Sequence, residues 1–71
     1  MFELKYRTKD EDVVETLIDS LNNDDMAIDI DSVQDEFDDY FTVTATYEDE
    51  NAYVDRCTYL EGLFPYDIEK L

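Results

Sequence analysis

Carboxylates are the most abundant reactive groups in this sequence: 21 Asp and Glu stand against five Lys and Arg, with no His. Paired carboxylates can do general acid–base work, as in glycoside cleavage. That chemistry needs two of them held apart in a cleft, with their pKa values pushed in different directions. No pair stands out among the 21, and the chain has only 71 residues. A chain of this length is near the lower limit for building even a core. With no His, and one Gly in place of a Gly-rich phosphate loop, the common catalytic constellations are missing. The sequence alone therefore predicts a non-enzymatic chain, with no catalytic residue and no cofactor.

Cation binding is the sharper alternative. Asp29-Ile30-Asp31-Ser32-Val33 opens like an oxygen-rich calcium loop. An EF-hand then requires Asp or Asn in place of Val33, Gly in place of Gln34 and Glu in place of Tyr40, so the pattern fails at three defining positions. No dedicated metal site is expected. Cys57 is alone, which excludes an internal disulfide and, in the absence of His, a structural zinc site. Its place on an apolar helix face predicts a small buried hydrophobe. Tyr6, Tyr47, Tyr53 and Tyr59 fall on core-facing positions. Tyr40 and Tyr66 lie among acids, where an exposed ring would serve as an interface anchor.

These groups need a scaffold, and the apolar periodicity supplies one. Residues 2–7 alternate, with Phe2, Leu4 and Tyr6 on one face and Glu3, Lys5 and Arg7 on the other, as in a half-buried strand. Thr8 with Glu11 reads as a capping box. Val13, Val14, Leu17, Ile18 and Leu21 then recur at helical spacing. Met26, Ile28 and Ile30 predict a second strand. Residues 40–47 predict a third, with Phe41, Val43, Ala45 and Tyr47 on one face and Thr42, Thr44 and Thr46 on the other. These two strands form an antiparallel hairpin whose tip falls within residues 32–39. A second helix carries Tyr53, Val54, Cys57, Leu60 and Phe64 and stops before Pro65. Residues 66–71 read as a short edge strand or a final helical turn. The fold class is α+β: a β-α-β-β-α(-β) two-layer sandwich with a small, mostly antiparallel sheet and two helices on one face, as a single domain over 1–71.

Charge is the remaining feature. From Asp10 to Glu69 there are 20 acids and one base, Arg56. Most acids cannot be paired, and solubility alone needs far less charge. Such a surface repels nucleic acid and anionic lipid, so direct binding to nucleic acid or to a membrane is not expected. No apolar stretch is long enough for a signal peptide or a membrane span, which makes a cytoplasmic protein the default. Spread over half of a surface of roughly 4,600 Å², the charge density is of the same order as that of duplex DNA.

In charge, size and lack of a catalytic motif, the chain resembles the small acidic DNA-mimic inhibitors encoded by bacteriophages and other mobile elements. That resemblance implies a non-enzymatic inhibitor that blocks the nucleic-acid-binding site of a basic host protein, such as a nuclease, a restriction or CRISPR effector, a repair enzyme or a nucleoid protein. The alternatives are an immunity protein or antitoxin against a basic toxin, or an acidic accessory subunit. The residues expected to meet the partner are Asp29, Asp31, Asp35, Glu36, Asp38, Asp39, Tyr40, Glu48, Asp49 and Glu50, with Asp12, Glu15 and Asp19 on the first helix. No signal sets the oligomeric state, and a dimer is compatible with the sequence.

Overall fold

The computed structural model describes residues 1–71. Its elements run β1 (Phe2–Thr8), α1 (Glu11–Asn22), β2 (Ala27–Gln34), β3 (Phe41–Tyr47), α2 (Glu50–Leu63) and β4 (Glu69–Lys70). The strands form one antiparallel sheet in the order β2-β3-β1-β4. Both helices pack on the same sheet face, as the periodicity predicts. The buried core joins Leu4, Tyr6, Val43, Ala45 and Tyr47 of the sheet to Val13, Val14, Leu17 and Leu21 of α1 and Cys57 and Leu60 of α2. Thr42, Thr44 and Thr46 point to the other face, which no element covers.

Helix entry differs from the expected capping box. Asp10, not Thr8, caps α1: its Oδ1 accepts from the Asp12 amide at 2.9 Å. Thr8 is the last, buried residue of β1, and its Oγ1 accepts from the Asp10 amide at 3.2 Å. The two side chains therefore satisfy the amides of residues 10 and 12 in the strand-to-helix turn. Asp49 caps α2 in the same way, with Oδ1 accepting from the Asn51 amide at 2.8 Å.

A β-bulge breaks the period of β2. Ile28 is opposite Thr46 and Asp31 is opposite Thr44, so three residue steps on β2 match two on β3. The extra residue lies at Asp29-Ile30, and Asp29 takes the left-handed backbone at φ 50°. Consequently Ile28 turns to the open face with Thr46, while Ile30 packs against the core. The expected common face for Met26, Ile28 and Ile30 does not form, because one extra residue inverts a period of two.

The segment after α2 returns to the sheet as β4. Tyr6 is opposite Lys70 and Arg7 is opposite Glu69, and the Leu71 amide donates to the Lys5 carbonyl at 3.0 Å. The buried tyrosines keep their hydroxyls partnered: Tyr6 Oη donates to Glu61 at 3.0 Å and Tyr47 Oη to Asp24 at 2.8 Å. Tyr53 is half-buried and stacks on Phe2 with ring centroids 5.7 Å apart. Tyr59 departs from its expected core position. The residue is 54% exposed, because α2 buries only Cys57 and Leu60 and turns Val54, Tyr59 and Leu63 outward.

Candidate functional site

The acids expected to form one binding face are distributed around the molecule. Asp35, Glu36, Asp38 and Asp39 lie in the β2–β3 connection, whereas Glu48, Asp49 and Glu50 follow the other end of β3. The seven-residue strand β3 separates the two groups by about 20 Å. Asp31 shares the open sheet face with Thr44. Asp12, Glu15 and Asp19 are exposed on α1, across the sheet from Asp31. Asp29 sits in the bulge, so the regular strand spacing assumed for Asp29 and Asp31 does not hold.

The hairpin tip has internal order. The Asp35 amide donates to the Tyr40 carbonyl at 2.7 Å, and Asp35 Oδ1 accepts from the Phe37 amide at 2.8 Å. The Phe37 amide, followed by a hydrogen bond with Asp38, holds the Asp35 carboxyl below its ordinary range, and sharing that bond pushes Asp38 up.

Cations and rings converge elsewhere. Arg7, Thr8, Lys9 and Asp10 leave the end of β1, Tyr40 enters β3 beside them, and Tyr66, Asp67, Ile68 and Glu69 return from α2. Together they line an open cleft of about 310 Å³. Tyr40 carries two cations on its ring: Arg7 Cζ is 4.6 Å and Lys9 Nζ 4.9 Å from the centroid. Arg7 is positioned by Glu69, whose Oε2 accepts from Nε at 2.8 Å and lies 2.8 Å from Nη2 in an ion pair. That hydrogen bond holds the guanidinium even more firmly protonated than usual. Tyr66 stands at the rim, 94% exposed.

A second groove of about 560 Å³ lies between Asp24, Ala52, Asp55, Arg56 and Tyr59. Its one base is already engaged. Arg56 Nε donates to Asp24 at 3.1 Å, Nη1 donates to Ser20 at 2.7 Å, and the guanidinium lies 5.2 Å from the Tyr59 centroid. This groove is braced more than it is open for chemistry. No group of three or more Cys, Asp or Glu is arranged to hold a metal ion.

Neither a family model nor a curated protein matches the sequence. The fold, however, matches a solved structure. A crystal structure of an antibiotic biosynthesis monooxygenase superimposes with a TM-score of 0.70 at 14% identity, over 100% of this chain and 96% of that one. The likeness shows that the two chains share a fold along their whole length. It overturns two expectations: the DNA-mimic inhibitor, together with its immunity-protein and accessory-subunit alternatives, and the absence of an enzymatic role. The scaffold is one that an enzyme uses. The dispersal of the acids removes the single phosphate-like face that mimicry requires.

Of the cleft residues, Tyr40 and Tyr66 were legible in the sequence as interface anchors, and Tyr40 alone stood among the residues expected to meet a partner. Arg7, Lys9 and Glu69 were missed. The signal was present in the run Lys5, Arg7, Lys9, which gathers three of the five bases within five residues. Only the return of residues 66–71 to β1 turns that run into one wall of a cleft. No helix is long and apolar enough to cross a membrane.

Proposed function

We propose that this chain is a small enzyme or ligand-binding domain that receives a small organic molecule in the cleft between Arg7, Lys9, Tyr40 and Tyr66. The observation that carries this reading is the convergence of two cations and two tyrosines in one concave site on a chain of net charge −16. Concave sites with a few convergent polar groups are the usual places for small ligands. The shared fold with a monooxygenase supports oxygenation of the bound molecule as the reaction class.

In such a reaction one atom of O₂ enters the substrate and the other leaves as water. The two electrons required come from the substrate itself or from an added reductant. The chain's own contribution is electrostatic and positional. Arg7 and Lys9 hold a negatively charged oxygen of the bound molecule and so orient it, and Glu69 fixes Arg7 so that little reorganisation is needed. Tyr40 and Tyr66 supply ring contact and hydroxyl groups at the walls. A cytoplasmic setting suits the free, buried Cys57.

The test is oxygen uptake by the intact chain with electron-rich phenols and hydroquinones, alone and with NADH. Uptake that is stoichiometric with product, and that falls at least tenfold in Arg7→Gln or Lys9→Gln, supports the enzyme. Ligand binding without uptake reduces the reading to a binding domain, and neither binding nor uptake overturns it.

A further inference from the structure

We infer that the molecule taken by this cleft is an organic monocarboxylate, gripped by Arg7 and Lys9 with its body against Tyr66 and Ile68. The inference rests on the reading of the cleft as the ligand site and adds the chemical class.

Charge placement is the first ground. Three of the five bases, Lys5, Arg7 and Lys9, lie on β1 or just beyond it, while Lys70, opposite the core-facing Tyr6, turns to the helix side and lies 5.9 Å from the Tyr53 ring centroid. The other base, Arg56, is spent on Asp24 and Ser20. The β1–β4 edge is therefore the one place on the molecule where an anion meets several cations.

The donors still open in the cleft are the second ground. Glu69 meets the side of the Arg7 guanidinium with a single oxygen, which accepts from Nε and lies in ion-pair contact with Nη2. Nη1 makes no hydrogen bond within the protein, and Nη2 keeps its second proton. The end-on fork of the guanidinium is thus free, and its geometry matches the two oxygens of a carboxylate. Lys9 has 21 acids in the chain to choose from and forms an ion pair with none of them. Its ammonium sits over the same Tyr40 ring as Arg7, with three protons available.

The surrounding acids set the charge of the ligand. Asp10, Asp67 and Glu69 also line the cleft, and Asp38 acts on Arg7 from the hairpin tip. Asp10 is held as the α1 cap and Glu69 by Arg7, so neither competes for the open donors, but both keep their charge, as does Asp67 at the rim. Two cations within this acidic frame match a single negative charge better than two, so a carboxylate is favoured over a phosphate dianion. Tyr66 and the half-buried Ile68 offer the apolar contact, and a volume of about 310 Å³ suits a one-ring acid.

Calorimetric and NMR titration of the full chain tests this with four probes: benzoate, benzamide, phenyl phosphate and acetate. Benzoate should bind at least tenfold tighter than isosteric benzamide and tighter than acetate, and added salt should weaken it. Lys9→Gln, a substitution at an exposed position, should remove most of the advantage over benzamide and leave the melting temperature within a few degrees of the parent. Equal binding of benzoate and benzamide at Tyr40 and Tyr66 would overturn the carboxylate class while leaving the cleft as the ligand site. Tighter binding of phenyl phosphate would overturn the choice of a monoanion. If no probe perturbs the cleft residues, the reading of the cleft itself is overturned.

Discussion

Tyr47 donates its phenolic proton to Asp24 Oδ2 at 2.8 Å, and Arg56 Nε reaches the same oxygen at 3.1 Å. One carboxylate oxygen thus ties the end of β3 to α2, and Oδ1 also accepts from the Met26 amide at 3.1 Å. Burial alone would raise the Asp24 pKa. The Tyr47 and Met26 hydrogen bonds and the Arg56 charge outweigh it and hold the carboxyl below its ordinary 3.8.

The first prediction concerns this brace. Asp24→Asn keeps the shape but removes the charge and misplaces an acceptor, and it should cost about 1–3 kcal/mol. A carboxyl whose pKa is depressed in the fold stabilises above its unfolded value, and that contribution fades as pH falls through the folded value. The parent should therefore lose the Asp24 contribution below about pH 4, and parent and variant melting temperatures should converge there. Thermal melts across the acid range check this. A constant gap between the two would show that the charge is not what stabilises.

At the alkaline end the tyrosines govern. Burial first, then the neighbouring Cys57 and Glu61, pushes the Tyr6 hydroxyl far up; burial and the bond to Asp24 do the same for Tyr47. A raised pKa leaves their contribution intact below the unfolded value near 10.0 and removes it as pH climbs above that. Unfolding by circular dichroism and phenolate absorbance of these two residues should therefore appear together above pH 10. Phenolate formation at Tyr6 and Tyr47 with the fold intact would contradict the burial argument.

Charge repulsion gives a third test. Five bases stand against 21 acids, and only two of them form ion pairs, Arg7–Glu69 and Arg56–Asp24. Salt screens the remainder, so the melting temperature should rise steadily with sodium chloride until the Debye length falls to a few ångströms. A flat profile would mean that the acids, dispersed to both ends of the sheet, already lie too far apart to repel.

The bulge supplies a fourth. Asp29 occupies left-handed backbone at φ 50°, which Gly adopts without strain. Asp29→Gly should be neutral or stabilising by up to about 1 kcal/mol, whereas Asp29→Val should destabilise by about 1–2 kcal/mol. Denaturant melts of both variants decide it. Equal stability of the two would mean that the bulge relaxes to extended backbone.

These features show where the sequence was legible and where it was not. Alternation in residues 2–7 and 41–47 and the helical spacing of Val13, Val14, Leu17 and Leu21 were sufficient to give the element order and the core face. The bulge left no mark, because Asp29 lacks the glycine signature of a positive φ. The cleft was hidden for a different reason. Its walls come from residues 7–10, 40 and 66–69, which meet only through the β1–β3 and β1–β4 pairings. The many acids attracted attention because composition is visible without a fold, whereas juxtaposition is not.

The central claim is that the cleft beside Arg7, Lys9, Tyr40 and Tyr66 is where this chain meets its ligand, and chemical-shift mapping of the intact chain with small ring-bearing acids and phenols tests it most directly. Perturbations should concentrate on residues 7–10, 40 and 66–69. They should collapse in an Arg7→Gln, Lys9→Gln double variant that melts within a few degrees of the parent. Perturbations centred instead on Asp55, Arg56 and Tyr59, or unchanged in the double variant, would contradict the claim.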